Sequence, residues 1–412
     1  MNIYFYLIPA LIVFGFLWEF LVDYLNTKNL KTEVPEEFQG VYPEADYEKS
    51  QKYLKDKSQF GLIQNSLSTV LTLAFFFLGG FAWLQSTVSS YVDSSLHQGV
   101  LYIGFMGFAS FLIGLPFSYY STFSIEEKYG FNKMDVKTFL KDNLVGVSLG
   151  LVIGAPILYL VLWFFESAGD LAWVYVWVSL TAIQIFMTFL APVVIMPLFN
   201  KFTAIKEGEL RTEVNKYAQS QNFELEGLYT MDGSKRSTKA NAFFTGFGKF
   251  RRVVLFDTLI EKQSTNELVA VLAHEIGHFK KKHIHRQMLV SILQTGIMFF
   301  ILSIFIKDSQ LAAAFGVSTP TVYTGLVFFG FLYSPISMVL GLYSLHLSRK
   351  YEFEADEFAA RTHKHPEDLS SALKKLSVDS LSNLSPHPLK VFTEYTHPPI
   401  IERLKVLNSI KL

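Results

Sequence analysis

Cysteine is absent from all 412 residues, which excludes disulfides, thiolate metal ligands, a cysteine nucleophile and palmitoylation. Any metal must therefore be held by nitrogen and oxygen. Charge is scarce as well: Asp, Glu, Lys and Arg make up 17%, with 36 acidic against 36 basic residues. No long basic run breaks that balance, so nucleic acid is excluded as a partner. What is present in excess is apolar, with 50% hydrophobic residues and 40 Phe. That composition predicts a membrane protein with sizeable aqueous segments.

Apolar stretches of membrane-spanning length fall at about residues 3–25, 62–85, 100–120, 144–165, 172–198, 288–306 and 322–347. The first has no basic flank and no small-residue cleavage site, and it ends in Glu19 and Asp23, so it reads as a retained span. Lysine sets the orientation. Lys28, Lys31, Lys49, Lys52, Lys55 and Lys57 follow the first span, and Lys128, Lys133, Lys137 and Lys141 follow the third. The alternate connections carry one Lys among them, which places the N-terminus outside and the C-terminus in the cytoplasm. The chain divides into spans one to five (1–198), a cytoplasmic segment (199–287), spans six and seven (288–347) and a C-terminal helical segment (348–412). The acid- and proline-bearing residues 33–48 read as an irregular loop.

The most specific signal is His274-Glu275-Ile276-Gly277-His278. Histidines at i and i+4 of a helix share a face and can grip one Zn2+, while the adjacent Glu reaches the water that the metal activates. With only 10 His in the chain, the pattern arises by accident about once in a hundred such sequences. Asn266 to Ala273 supplies a helix-compatible lead-in. Two imidazoles leave a catalytic zinc one protein ligand short, and a carboxylate is the natural third. Beyond span seven, Glu352 and Asp356 share a helical face at i, i+4, so Glu352 can bind the ion while Asp356 fixes the far nitrogen of a ligand His. Spacing alone does not separate Glu352 from Glu357, and Glu354 points elsewhere. Asn241 to Gly246 and Arg251 to Asp257 read as a small β-hairpin around a Gly-rich turn.

Together these features resemble the integral-membrane zinc endopeptidases called CAAX prenyl proteases type I. The resemblance is carried by the order of seven spans, His274-Glu275-Ile276-Gly277-His278, Glu352-Phe353-Glu354-Ala355-Asp356 and His397-Pro398-Pro399 through Arg403-Leu404. Ile125 to Asn132, Ala191-Pro192, Pro197 to Phe202, Ser234 to Ser237 and Asn241 to Phe244 match too. It implies an all-α membrane fold whose seven helices enclose a chamber, one Zn2+ per chain on His274, His278 and Glu352, and Glu275 as general base. It also implies that His397 and Arg403 stabilise the oxyanion and that Asn241 and Ala242 lie on the strand that receives substrate. From the residues alone, His397 reads as a helix-entry residue before Pro398-Pro399. The partners are a peptide or protein substrate, prenylated or not, and membrane lipid; the setting is a bacterial inner membrane, or the endoplasmic reticulum if the chain is eukaryotic.

Other polar residues carry less. His283 and His285 follow Lys280-Lys281-Lys282 and read as solvating the membrane surface, as do Glu19 and Asp23; His363 and His365 read as an exposed loop. Gln64, Asn65, Gln184 and Gln294 suit a wet cavity or helix-to-helix hydrogen bonds equally. Rival functions are a quality-control zinc protease, which such relatives perform with fewer spans, and a seven-span transporter or inactive scaffold. The transporter predicts functional polar residues at mid-membrane and the scaffold a broken ligand set; neither is found.

Overall fold

The computed structural model describes residues 2–245 and 252–411. Among the described residues, seven helices are long and apolar enough to cross a membrane, the number the sequence predicts: Ile3–Lys28, Glu44–Phe77, Ser95–Glu126, Val136–Ser167, Gly169–Phe199, His283–Phe305 and Val322–His363. A helix satisfies its own backbone groups, which hydrocarbon cannot do. Side-chain caps set several starts, with Asn2, Asp135 and Thr321 accepting from backbone N–H groups two or three residues on. The second span differs from expectation. Residues 44–48 are helical and not loop, and the helix stops at Phe77, where Gly79 at φ 73° turns the chain into a separate helix, Gly80–Tyr91.

Each span packs against the next in chain order, and the seventh closes on the first. Within their apolar windows, however, only 0% to 17% of residues are buried. Seven helices joined edge to edge, with inner and outer faces uncovered, enclose a chamber. Its two ends are closed by packed side chains. At one end Ile8, Phe76 and Phe81 meet Phe315 and Phe328. At the other, Phe38, Tyr42, Tyr47 and Tyr53 from the first connection and second span pack with Tyr129 and Phe131 after span three and with Leu381, Leu384 and Leu404 near the C-terminus. That second end gathers the lysine-rich segments that follow spans one and three.

A mixed sheet lies at the same end. Its strands are β1 (Phe202–Ala204), β2 (Gly227–Met231), β3 (Ala242–Thr245) and β4 (Arg252–Phe256), in the order β1-β2-β4-β3. The expected hairpin is β3 with β4, antiparallel; its Gly-rich turn lies outside the described residues. The sheet is larger than a hairpin because β2 also pairs with β4 in parallel, with Gly233–Lys235 and β3 between them in the chain, and β1 pairs antiparallel with β2 across the helix Glu209–Ser220. Pairing between strands that are not neighbours in the chain is not revealed by local strand signals.

Candidate metal centre

The motif lies on the helix Thr265–Lys280. Ser264 and Glu267 form a reciprocal capping box at its start. Leu268, Ala270, Leu272, Ala273 and Ile276 are buried in the largest core of the metallopeptidase segment. The helix does not run on into span six; Lys282 at φ 60° breaks it and a new helix starts at His283. Its partner is the unbroken 42-residue helix Val322–His363. At 1.5 Å per residue that helix is about 63 Å long, twice the hydrocarbon thickness, so its second half projects past the membrane. The two helices cross at Gly277, where a Cβ would lie 3.1 Å from both Cα and O of Ala355. Such a close crossing brings one turn of each helix face to face.

That contact gathers His274, His278 and Glu352, whose ligand-type atoms lie within 4.8 Å of one another. His274 Nε2 is 3.0 Å from His278 Nε2 and 3.4 Å from Glu352 Oε2, and His278 Nε2 is 3.3 Å from Glu352 Oε1. A tetrahedral ion with bonds of about 2.05 Å separates its ligand atoms by about 3.3 Å, so the three positions fit one small cation. Glu352 is 5% exposed, yet its Oε2 makes no hydrogen bond among the described residues. Glu357 instead pairs with Arg361 at 2.8 Å, with half its side chain exposed.

Charge points the same way. His274 Nδ1 is 2.8 Å from Asp356 Oδ1, and Arg403 donates Nε and Nη2 to Asp356 at 2.8 and 2.6 Å while Nη1 sits 3.4 Å from Glu352 Oε2. Burial disfavours a charged His274, but Asp356 and then Glu352 outweigh it and raise the pKa to about 9. Two buried carboxylates thus call for a positive charge beyond Arg403, which either a proton on His274 or a cation between the ligands supplies. Glu275 shares this field, and burial pushes its carboxyl above the ordinary carboxylate value.

His397 Nε2 is 3.4 Å from Glu352 Oε1, and Nδ1 meets Thr396 Oγ1 at 2.9 Å. Its side chain is 62% exposed, and the protein around it desolvates it in part and lowers its pKa. Arg403 is buried and its fork faces the carboxylates. His397 and Arg403 line a cavity of about 450 Å³ with Leu54, Leu373 and Ile400. Asn241 precedes β3 and Ala242 begins it. Phe256 N–H donates to Asn241 O, so alternation turns the main chain of Ala242 and Phe244 toward the sheet's free edge.

The other polar residues divide, some standing as the sequence suggested and some not. His283 is 1% exposed, not surface-solvating, and lies between His278 and Glu354. His363 is largely covered and pairs with Asp368, whereas His365 is exposed beside Glu367. Asp23 pairs with Lys390, and Asn65 donates to Glu19. Gln184 and Gln294 bond across helices, to Ser291 and to Ser344. Arg236 and Lys239 were passed over as anchors of the segment before β3. Arg236 makes a two-point pair with Asp142, and Lys239 reaches Glu126 at 2.7 Å and Tyr53 at 2.9 Å. Only their basic character between short elements could have flagged them.

A chamber of membrane helices with this cluster at one end defines a membrane-embedded metallopeptidase. Residues 204–411 match peptidase family M48, residues 23–201 match the family described as CAAX prenyl protease N-terminal, five membrane helices, and the chain belongs to this family. CAAX prenyl protease 1 homolog of Taenia solium is 35% identical over 96% of this chain and 93% of its own length. CAAX prenyl protease 1 of Saccharomyces cerevisiae and the Homo sapiens homolog are each 32% identical over the same shares. The crystal structure of S. mikatae Ste24p superimposes with a TM-score of 0.94 at 31% identity, covering 99% of this chain and 100% of that one.

Proposed function

We propose that His274, His278 and Glu352 hold one zinc ion per chain and that the protein hydrolyses peptide bonds beside it, as a CAAX-type prenyl protease or on a related substrate. The observation that carries this reading is the 3.0 to 3.4 Å spacing of the three ligand atoms around a buried carboxylate oxygen without a hydrogen bond. Held by these three side chains, zinc would supply Lewis acidity toward the scissile carbonyl and acidify the attacking water. Glu275 takes the proton of the attacking water and returns it to the leaving amine. Asp356 holds His274 in its tautomer, and Arg403 balances Asp356 and Glu352. His397, beside Glu352, donates an N–H to the developing oxyanion. The free edge at Ala242 and Phe244 receives an extended peptide by strand addition, beside the motif helix against which β3 packs.

The lysine pattern supports an N-terminus outside and the catalytic end in the cytoplasm, in the plasma membrane of a bacterium or the endoplasmic reticulum of a eukaryote. The test is cleavage of a farnesylated peptide and its unprenylated twin, with and without chelator. Chelator-sensitive cleavage that favours the farnesylated peptide is expected. Equal rates refute the prenyl preference, and cleavage by Glu275→Gln at the wild-type rate refutes the catalytic assignment.

A further inference from the structure

Each candidate ligand His has a second ring nitrogen, and the two are handled differently. His274 turns its Nδ1 to a carboxylate directly. His278 turns its Nδ1 to another imidazole, His283 Nδ1, at 3.0 Å, and His283 Nε2 lies 3.0 Å from Glu354 Oε2. We propose that His283 is a positioning residue that, oriented by Glu354, sets the tautomer and ring angle of His278; this rests on the metal site proposed above.

The assignment follows from what each atom can do. An ionised carboxylate only accepts, so the proton of the outer contact sits on His283 Nε2. Neutral His283 then has a lone pair on Nδ1, which accepts from His278 Nδ1–H. That leaves the lone pair of His278 on Nε2, the atom facing His274 and Glu352. With the proton of His283 on Nδ1 instead, two acceptors would face each other at Glu354, and His278 would present an N–H to the metal position.

The backbone is built to make this contact. His283 is five residues beyond His278, and in a continuing helix it would point about 140° away. Lys282, a non-glycine residue at φ 60°, ends the helix and swings the chain back. The His283 ring is then clamped by a parallel stack on Tyr351, 4.3 Å between centroids at 9°. Tyr351 and Glu354 belong to the same helix as Glu352. One element therefore supplies the third ligand, the clamp and the carboxylate that orients the relay.

The experiment measures zinc affinity of the full-length, detergent-solubilised protein by competition with a chelator at fixed pH. His283→Phe keeps the ring and its stack but removes both nitrogens, and it should weaken zinc binding by roughly 10- to 100-fold. His283→Gln offers a carbonyl to His278 and an amide N–H to Glu354, and it should stay within about fivefold of wild type, a rescue that loss of packing does not predict. Glu354→Leu, which leaves the histidines in place, should lose affinity by several-fold and covers the case of a Phe variant that does not fold. His283→Phe and Glu354→Leu both within about twofold of wild type, or His283→Gln as weak as His283→Phe, would overturn the relay. His274→Ala is the control: if it too keeps wild-type affinity, the metal site itself is wrong, whereas loss there with no effect at His283 faults the relay alone.

Discussion

Arg403 is the buried cation that balances the carboxylates of this site. Its side chain is 8% exposed against 0% for Asp356, it makes two hydrogen bonds there at 2.8 and 2.6 Å, and it lies 3.4 Å from Glu352. Arg403→Met keeps much of the volume and leaves two buried carboxylates sharing fewer positive charges. Breaking a buried pair from one side costs about 3–5 kcal/mol, which for a chain of this size lowers the unfolding midpoint by roughly 3–6 °C. Removing both partners, in Arg403→Met with Asp356→Leu, takes away the stranded charge, so the double variant should be more stable than Arg403→Met alone, with a coupling on the order of 2 kcal/mol. Because a cation also compensates Glu352, Arg403→Met should lose more stability after chelator treatment than with zinc present. The assay is thermal unfolding in detergent of the wild type, both single variants and the double, each with and without chelator. Additive losses, or an Arg403→Met penalty that chelator leaves unchanged, would refute this electrostatic account.

Two further predictions concern how the motif helix is held. Gly277→Ala places a methyl 3.1 Å from the Ala355 backbone, which should cost about 1–3 kcal/mol by overpacking and weaken zinc binding as the ligand helices separate; unchanged affinity by chelator competition would count against the close crossing. Glu267 tests the cap through pH. Burial opposes its charge, but hydrogen bonds from Lys375, Ser371 and Ser264 outweigh that and hold its pKa below the ordinary value. A folded pKa below the unfolded one stabilises above the unfolded value near 4.3, and that contribution disappears as pH falls through the folded pKa. Glu267→Gln keeps the capping geometry but not the ion pair, so it should cost about 1 kcal/mol at neutral pH. Unfolding curves of variant and wild type should converge below about pH 4, and a constant gap would contradict this.

Much of this molecule is legible in its residues because the strongest constraints are local or periodic. Seven apolar stretches must be helices in hydrocarbon, and His274 and His278 at i, i+4 must share a face. Glu352 is different. Spacing left it level with Glu357, and the choice depends on how deeply two helices interlock, which is decided by Gly277 against Ala355 in separate stretches of chain. His283 was misread for a related reason: a left-handed Lys282 reverses its direction, and residue type at that position gives no hint of it. The sheet was read as a hairpin because β2 joins β4 past the intervening β3, and β1 joins β2 only across the helix Glu209–Ser220. The first connection looked irregular, yet Phe38 and Tyr42 are buried against Leu381 and Leu404, a contact more than 300 residues apart that no local pattern encodes.

Zinc content per chain tests the central assignment most directly, measured by elemental analysis of purified wild type, Glu275→Gln and Glu352→Gln after dialysis against a weak chelator. About one equivalent in the wild type, about one in Glu275→Gln and close to none in Glu352→Gln are expected. A full equivalent retained by Glu352→Gln, or none in the wild type, would contradict a metal held between the two helices.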